Sequence, residues 1–390
     1  MRIAHIITRL IIGGAQENTI LTCEGLMRAG DDVLLLTGPP LGPEGSLLER
    51  ARAGGVPLQI IPELQRAIHP WRDLQSYRRI QDCLRAFRPD VVHTHSGKAG
   101  LLGRMAASKL RVPAIVHTVH GAPFHPYQSR AARAVFRQCE RFAAARCDKI
   151  VSVADAMTDL LVGAGVAPRE KFVTIYSGMD VGPFLDSDRH RDQKRRELGY
   201  IHEHVVIGKV ARLFHLKGHE YVVAAARQVV DEHPQARFLI VGDGLLASQV
   251  REQVRRAGLE KNFQFTGLVP PDEIPKLIAA MDIVVHASLR EGLARVLPQA
   301  LIAGRPVVSY DVDGAREVVI PGQTGFLLPP RTIEPLAQSI SALVADPQLR
   351  VQMGAEGRQR FTAQFDHRHM TEKLRALYES ILQTDQPRRR

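Results

Sequence analysis

Short apolar runs alternate with amphipathic stretches along the chain, and this alternation predicts its architecture. In the first half the strand-like runs are Arg2–Thr8, Val33–Leu36, Leu58–Ile61, Val91–His93, Ala114–Thr118, Lys149–Val153 and Phe172–Ile175. Continuous apolar runs of this length are typical of strands that are buried on both faces. Because helical patterns separate them, they predict a parallel, doubly wound α/β sheet with its binding site at the carboxyl ends of the strands.

A second strand–helix series begins at Val205, after a polar and charge-dense segment over residues 186–203. Its strand-like runs lie at 206–210, 238–241, 263–267, 283–285 and 306–308, and helical patterns follow over residues 331–345 and 349–365. We therefore predict one Rossmann-like domain over residues 1–185 and another over residues 186–365. An amphipathic helix and a basic tail occupy residues 366–390.

Composition and charge narrow the classes of function. The 390 residues are 45% apolar and 24% charged, which is typical of a globular chain, and the net charge of +11 favours anionic partners. Aromatic residues make up only 5% and form no stacking motif, so we expect no nucleic acid partner. No apolar run reaches about 18 residues, so no membrane-spanning helix is expected.

The amino terminus and the cysteines predict the compartment. The apolar run after Met1 is too short for a signal peptide and is typical of a first strand. The four cysteines are scattered, form no CxxC pair and suit a reducing environment. We therefore expect a cytoplasmic protein.

A glycine pair follows the first strand. Gly13 and Gly14 separate strand from helix, which either makes a tight turn or lets the backbone approach a ligand. The spacing is not GxGxxG, so the dinucleotide fingerprint is absent.

Histidines end two neighbouring strands, as His93-Thr94-His95 and His117-Thr118-Val119-His120. They could bind a metal ion, or hydrogen-bond to each other and to a ligand; no third ligand at a metal-binding spacing is evident. Ser96, Gly97 and Lys98 begin the next helix. They form either an anion site, such as one for an acceptor phosphate, or an ordinary solvated turn.

Two helical patterns of the first half are basic and amphipathic. One spans about residues 73–87 and the other lies between Gln128 and Asp148. Each would either pack on the sheet as an ordinary surface helix or lie on an anionic membrane face.

The stretch from His286 to Phe326 carries the most specific pattern. An apolar run ends in a polar turn with Glu291, a helical pattern follows, and another strand begins near Pro306. The stretch resembles the carboxyl-terminal signature of the retaining, nucleotide-sugar-dependent glycosyltransferases of family 4. Its matching positions are Ser288, Glu291, Gly292, Ala300, Gly304, Pro306, Val307, Gly322, Thr324 and Gly325. Counterparts in the glycine and histidine motifs extend the resemblance to the first half.

The resemblance implies the GT-B fold, in which two Rossmann-like domains face a central cleft and a terminal helix crosses back to the first domain. The second domain would bind the nucleotide sugar and the first the acceptor. The implied catalytic residues are His120, which would bond to the donor sugar, Arg212 and Lys217, which would hold the diphosphate, and Glu291, which would accept bonds from sugar hydroxyls. Further donor contacts are implied at Gly13, Gly14, Gly267, Gly292, Leu293, Ala294, Arg295 and Gln299.

The implied chemistry explains why cations are needed. Departure of a nucleoside diphosphate builds negative charge on the leaving oxygen, which fixed cations and a helix N-terminus stabilise without a metal ion. We therefore expect neither a metal nor another cofactor. Asp311-Val312-Asp313 could be a DxD metal motif, but its position after a strand and before Gly314 and Glu317 matches a turn of this family.

The chain departs from the family pattern at one position. Seven residues after Glu291 the family has a second glutamate, which holds the ribose diol, and this chain has Gln299. Glutamine both donates and accepts but loses the charge-assisted bonds, which are about twice as strong as neutral ones. We expect weaker or altered binding of the ribose rather than an inactive enzyme.

The resemblance thus predicts retaining transfer of a hexosyl or N-acetylhexosaminyl group from a nucleotide sugar, with UDP favoured. The expected acceptor is a lipid-linked precursor of a bacterial envelope polysaccharide, reached by peripheral contact with the inner face of the plasma membrane. A soluble phosphorylated polyol or small sugar is the other acceptor class. Rival functions are a nucleotide-sugar epimerase, a binding-only relative, and a metal hydrolase using His93, His95 and His120.

Overall fold

The computed structural model describes residues 1–42, 45–95 and 97–384. The chain forms two compact units. The first consists of Met1–Met179 together with the chain from Phe365 onward, and the second is Asp180–Gln364. The structure therefore divides after Met179, whereas the sequence predicted a domain boundary at about residue 185.

Strands and helices alternate through the first unit. Its elements are β1 (Arg2–Arg9), α1 (Gly14–Arg28), β2 (Asp32–Gly38), α2 (Leu48–Ala53), β3 (Leu58–Ile60), α3 (Pro70–Phe87), β4 (Val91–His95), α4 (Gly97–Lys109), β5 (Ala114–Val119), α5 (Arg130–Ala144), β6 (Lys149–Ser152), α6 (Asp155–Gly163) and β7 (Phe172–Thr174).

The second unit repeats the alternation. Its elements are α7 (Gly182–Leu185), α8 (Arg191–Glu197), β8 (Val205–Val210), α9 (His219–Glu232), β9 (Ala236–Val241), α10 (Ala247–Arg256), β10 (Phe263–Gly267), α11 (Ile274–Ala280), β11 (Ile283–His286), α12 (Val296–Ile302), β12 (Val307–Tyr310), β13 (Gly325–Leu328), α13 (Glu334–Ala345) and α14 (Pro347–Phe361). The last helix, α15 (His367–Thr384), belongs to the first unit.

The sheet of the first unit has the order β3-β2-β1-β4-β5-β6-β7, and all its paired strands are parallel. Each strand predicted in this half is present. The order reverses between β1 and β4, so the carboxyl ends of these two strands flank a switch point, where open α/β sheets bind ligands.

The sheet of the second unit has the order β10-β9-β8-β11-β12-β13 and is parallel throughout. Its switch point lies between β8 and β11. The strand β13 was not predicted, because its four residues follow a polar turn and three of them are only partly buried. The doubly wound α/β fold expected of both halves is confirmed.

Helix α15 returns to the first unit, as the resemblance implied. It packs against α1, and its Met370, Leu374 and Tyr378 join the apolar core of that unit. The N–H of Met179 donates to the carbonyl of Phe365 over 2.8 Å, and the N–H of His367 donates to the carbonyl of Met179 over 3.0 Å. The prediction that the preceding helix reaches Phe365 is wrong. That helix ends at Phe361, and Phe365 instead pairs with Met179.

None of the helices in the described part of the chain combines the length and the apolar character that crossing a membrane requires.

Candidate active site

The residues that follow β8 and β11 meet at the switch point of the second sheet. Lys217 lies between β8 and α9, and Glu291 lies between β11 and α12. Nζ of Lys217 is 2.5 Å from Oε1 of Glu291. The structure therefore brings together two residues that the sequence proposed separately.

Glu291 is held as an anion. Nε2 of His286 lies 3.4 Å from the carboxylate oxygen that Lys217 also contacts. Burial alone would raise the pKa of Glu291, but the ammonium of Lys217 and the hydrogen bond from His286 outweigh it and hold that pKa below its usual range. A carboxylate of this kind is a poor base and a strong acceptor of hydrogen bonds, as binding of sugar hydroxyls requires.

The turn that carries Glu291 is fixed by a second turn after β12. The N–H of Glu291 donates to Oδ2 of Asp313 over 2.6 Å, and the N–H of Gly314 donates to the carbonyl of Gly292 over 3.0 Å. Asp311 pairs instead with Arg316, at 2.8 Å between Oδ2 and Nη2. Both carboxylates of the Asp-Val-Asp stretch thus bond within the protein, one to the site's backbone and one to a neighbouring arginine.

The N-terminus of α9 faces the same crevice. Gly218 precedes this helix with φ of 65°, and a Cβ at this position would lie 1.8 Å from the carbonyl oxygen of Ala287. Only glycine fits there, so the turn after β8 can pack closely against the residue that follows β11. The free N–H groups of α9's first turn then lie near Lys217, which together favour a bound anion.

Arg212 lies on the exposed side of the same turn. Its guanidinium sits 4.9 Å from the ring centre of Phe214, and its carbonyl accepts a hydrogen bond from Nε2 of His219 over 3.1 Å. The arginine, the lysine and the helix N-terminus therefore belong to one connection, between β8 and α9. This arrangement suits the stabilisation of a diphosphate.

Lys209 is a charged residue of this region that the sequence reading missed. It lies on β8, is 1% exposed, and Nζ has no hydrogen-bond partner among the described residues. Burial, assisted by the nearby charge of Lys217 and opposed by Glu291 and Glu220, lowers the pKa of Lys209 to about 7. The alternating apolar neighbours gave a strand signal that concealed it, although a lone lysine within such a run is itself unusual.

The other donor-site candidates lie on neighbouring turns. Gly292, Leu293, Ala294 and Arg295 connect β11 to α12, and Gln299 lies in α12 and is partly buried. Pro298 falls in the first turn of α12, where a missing N–H costs no helical hydrogen bond. Gly267 ends β10 with φ of 71°, and its carbonyl accepts from the N–H of Gly242 over 3.1 Å.

In the first unit the glycine pair lies where the sequence placed it, after β1. Gly13 precedes α1 and Gly14 is its first residue; no side chain caps this helix. The N-terminus of α1 therefore lies at the switch point of the first sheet, beside the carboxyl end of β4.

Four histidines of the first unit come together, and one of them was not predicted. His5 on β1 pairs in register with His93 on β4. Nδ1 of His5 lies 3.0 Å from Nε2 of His95, and Nδ1 of His95 lies 3.1 Å from Nε2 of His120. His93 bonds separately to the hydroxyls of Tyr378 and Thr118, at 2.5 and 2.6 Å. His117 lies apart from this group and bonds to Thr94 over 2.9 Å.

The histidines His5, His93 and His95 are also the one group of possible metal ligands within the described ranges, with ligand atoms within 4.8 Å of one another. It differs from the predicted trio by having His5 instead of His120. The nitrogens of His93 and His95 all lie within hydrogen-bonding distance of side chains. A set of neutral histidines satisfies these distances by itself.

The predicted anion site at the start of α4 has a different environment from the one expected. Ser96 lies outside the described residues. Nζ of Lys98 lies 2.5 Å from Oδ1 of Asp73 and also contacts the carbonyl of Ala67, and its side chain is only 12% exposed. Lys98 therefore ties α4 to α3, a contact between residues 25 positions apart that the sequence did not show.

Two family profiles match successive parts of the chain. The profile described as glycosyl transferase 4-like domain matches residues 13–178, and the one described as glycosyl transferases group 1 matches residues 190–360. They cover the second sheet, the first sheet from β2 onward, and the site residues predicted from the sequence in both units.

Curated relatives match along most of the chain. A UDP-Gal:alpha-D-GlcNAc-diphosphoundecaprenol alpha-1,3-galactosyltransferase of Escherichia coli is 26% identical over 97% of this chain and 96% of its own length. A 2-deoxystreptamine glucosyltransferase of Streptomyces kanamyceticus is 28% identical over 76% of this chain and 79% of its own length.

Solved structures share the fold. The crystal structure of Anabaena HepE in complex with UDP-glucose matches with a TM-score of 0.83 at 23% identity, over 97% of this chain and all of that one. Sucrose-phosphate synthase from Thermosynechococcus elongatus matches with a TM-score of 0.80 at 20% identity, over 98% of this chain and all of that one.

Proposed function

We propose a specific reaction for this chain, which belongs to glycosyltransferase family 4 and is a hexosyltransferase with the GT-B fold. It transfers a hexosyl or N-acetylhexosaminyl group from a UDP-sugar to a lipid-linked precursor of an envelope glycan. The observation that carries the proposal is the pairing of Lys217 with Glu291 beside the N-terminus of α9. It supports an anionic diphosphate and a polyhydroxylated group bound side by side.

The roles of the residues follow from their charges. As the bond between the sugar and the diphosphate breaks, negative charge grows on the leaving oxygen, and Arg212, Lys217 and the N–H groups of α9 stabilise it. Glu291 remains ionised and orients the sugar through its hydroxyls. No metal ion is needed for this stabilisation.

Retention of the anomeric configuration is part of the proposal. A double displacement needs a carboxylate that is available to attack the sugar carbon. Glu291 is the carboxylate nearest the lysine, and both Lys217 and His286 contact its Oε1. Attack of the acceptor on the face that the diphosphate leaves fits this arrangement better, with a departing phosphate oxygen taking the acceptor proton.

The acceptor class rests on the relatives and on the surface of the first unit. The galactosyltransferase of Escherichia coli is named for a diphosphoundecaprenol acceptor, and it aligns over nearly the whole chain. A soluble acceptor is the second candidate, because the 2-deoxystreptamine glucosyltransferase and a D-inositol 3-phosphate glycosyltransferase of Corynebacterium jeikeium are also similar, over 76% and 75% of the chain.

The surface that would contact a membrane is formed by α3 and α5, with α4 between them. Exposed arginines on these helices are Arg78, Arg79, Arg85, Arg130, Arg133 and Arg141. Large apolar side chains are exposed beside them: Ile68 and Trp71 at the start of α3 are 77% and 74% exposed, and Val135 on α5 is 60% exposed. Cations attract anionic headgroups and the apolar side chains insert among them, which supports peripheral binding at the cytoplasmic face.

Sedimentation with vesicles tests the membrane contact. Vesicles containing phosphatidylglycerol should bind the protein, and vesicles of phosphatidylcholine alone should not. The double change Arg78→Gln with Arg79→Gln should weaken binding about 30-fold, since each basic residue near an anionic surface contributes about 1 kcal/mol. Trp71→Ser should also weaken binding, because it removes an exposed apolar side chain that would insert among the headgroups. Val351→Ser is the matched control, because Val351 is 72% exposed on the second unit. Equal binding to both kinds of vesicle would contradict the proposal.

A two-stage assay tests the reaction itself. UDP, GDP and their common hexose and N-acetylhexosamine conjugates are first compared by the thermal shift they produce. The best UDP-sugar is then supplied with a radiolabelled sugar, together with polyprenyl-diphosphate sugars or with inositol phosphate and aminocyclitols. Label in the lipid fraction supports the proposal, and label in the soluble product supports the second candidate. Epimerised donor without transfer would identify the rival isomerase.

A further inference from the structure

A line of buried histidines runs through the first sheet and ends at His120. It starts at His5 on β1, passes through His95 on β4 and reaches His120 just after β5, with nitrogen–nitrogen distances of 3.0 and 3.1 Å. His5 and His95 are essentially inaccessible to solvent, and His120 is partly buried. His5 pairs in register with His93, and His95 lies two residues after His93 on β4. The side chains of His5 and His95 therefore share one face of the sheet.

Each link in this line needs one donor and one acceptor. Burial lowers the pKa of His5 to about 3 and puts the pKa of His95 well below its ordinary value, so both rings are neutral. A neutral imidazole carries a proton on one nitrogen only. Because His95 uses both of its nitrogens in the line, the direction of one hydrogen bond fixes the direction of the other.

The far end of the line selects between the two possible directions. Nε2 of His5 is buried and has no hydrogen-bond partner in the part of the chain that the structure describes. If the bonds ran from His120 toward His5, this nitrogen would carry a buried N–H without an acceptor, which is rare in proteins. If they run from His5 toward His120, it carries only an unused lone pair.

We propose that His5 and His95 are positioning residues that fix the tautomer of His120. In this arrangement Nδ1–H of His5 donates to Nε2 of His95, and Nδ1–H of His95 donates to Nε2 of His120. The proton of His120 is thereby held on Nδ1, and its ring is fixed at the end of β5 as a hydrogen-bond donor of defined direction.

The role in catalysis rests on the proposed function and on the bond from His120 to the donor sugar that the family resemblance implies. A donor of fixed direction suits a sugar hydroxyl oxygen, which accepts the bond without rotation of the ring. The tautomer itself depends only on the buried line. His93 is not part of the line of histidines, because its Nδ1 bonds to Tyr378 and its Nε2 bonds to Thr118.

Nuclear magnetic resonance with ¹⁵N-labelled histidine tests the tautomer directly. Long-range ¹H–¹⁵N correlations distinguish a proton on Nδ1 from one on Nε2, and loss of one ring pattern in His120→Gln assigns His120. We expect a proton on Nδ1 of His120 in the unaltered protein. His95→Leu removes the donor and should shift His120 toward the Nε2 form. His95→Asn places an amide N–H where Nδ1–H was and should restore the Nδ1 form.

A matched control and two contrary outcomes complete the design. His117→Asn alters a buried histidine of β5 that bonds to Thr94 outside the line, and it should leave the tautomer of His120 unchanged. A proton on Nε2 of His120 in the unaltered protein would overturn the proposal. An unchanged Nδ1 form in a folded His95→Leu protein would do so as well. If His95→Leu does not fold, the tautomer of the unaltered protein decides.

Kinetics then separates this inference from the proposed function. Loss of one oriented hydrogen bond should lower kcat/KM about tenfold in His95→Leu, and His95→Asn should regain most of it. If the unaltered protein turns over no nucleotide sugar, the proposed function fails while the tautomer measurement still stands. If turnover is present and both His95 variants lose it equally, the positioning role fails.

Discussion

The ammonium of Lys217 and the carboxylate of Glu291 lie 2.5 Å apart across the switch point of the second sheet, although 74 residues separate them in sequence. The pair joins the connection that follows β8 to the one that follows β11. It therefore couples the group that would hold a diphosphate to the group that would hold a sugar. A change to either residue alters the charge and the position of the other.

Removal of the lysine should affect turnover more than folding. In Lys217→Ala the developing charge on the leaving group loses one fixed cation, and kcat should fall about 10²–10³-fold. The pKa of Glu291 should also rise toward its ordinary range, because Lys217 holds it down. Lys276→Ala is the matched control, since Lys276 on α11 of the same unit pairs with Glu273, which immediately precedes that helix. Equal kcat in the two variants would show that Lys217 does not stabilise the leaving group.

The glutamine of α12 offers a test of how the ribose is held. In Gln299→Glu a carboxylate would replace a neutral amide, and charge-assisted hydrogen bonds are about twice as strong as neutral ones. We expect UDP to bind about tenfold more tightly, as measured by calorimetry, with a smaller change for uracil. Gln323→Glu, in the turn before β13, controls for the added charge. Unchanged affinity for UDP would show that residue 299 does not contact the ribose.

The buried lysine of β8 should make stability depend on pH. The pKa of Lys209 is about 7 in the folded protein and has an ordinary value of 10.5. Between these values the unfolded chain holds a proton that the folded protein lacks, so stability rises with pH through this window. Below about pH 7 both states hold the proton, and the folded state keeps the full cost of a buried charge.

Calorimetry of Lys209→Met checks this linkage. The variant should unfold at a higher temperature than the unaltered protein at pH 6.5, and the difference should shrink as the pH approaches 9.5. Lys261→Met changes an exposed lysine of the same unit and should leave the pH dependence as it was. If the unfolding temperatures of Lys209→Met and of the unaltered protein change with pH in parallel, Lys209 does not titrate in this range.

Removal of metal ions tests whether the Asp-Val-Asp stretch of the second unit or the histidine group of the first unit binds one. In the proposed function, cations of the protein would supply the charge that a DxD motif would supply through a metal, so we expect EDTA to leave kcat/KM within about twofold. Purified protein should also contain less than a stoichiometric amount of zinc. Loss of turnover with EDTA that Mn²⁺ or Mg²⁺ restores would favour a role for Asp311 and Asp313. Stoichiometric zinc that His93→Ala removes would favour the histidine group.

Much of the fold could be predicted because parallel strands are buried on both faces. Runs such as Ile283–Val285 and Phe238–Val241 have no polar alternation, and each proved to be a strand. The exceptions are short or lie at boundaries. β13 has only four residues, three of them partly buried, and α14 ends before Phe365, which pairs with the sequence-distant Met179.

Less of the candidate site could be predicted, since its contacts join residues that are far apart. The family resemblance located both Glu291 and Lys217, but nothing in the local sequence shows that they touch. His5 and Lys209 are single polar residues within apolar strands, where the pattern indicates only burial. The sequence left Lys98 as part of either an anion site or a solvated turn, and its pairing with Asp73 depends on the packing of α4 against α3.

The return of α15 to the first unit reverses the order in which the two units can be completed during synthesis. Residues 180–364 form an uninterrupted module, so every residue of this module has been synthesised when the ribosome reaches Gln364. The amino-terminal unit, although made earlier, still lacks the helix that places Tyr378 over His93 and Leu374 in its core. The half of the protein that emerges first therefore becomes native last, and a nascent chain stopped before residue 367 would keep the histidine-lined face of its first sheet uncovered.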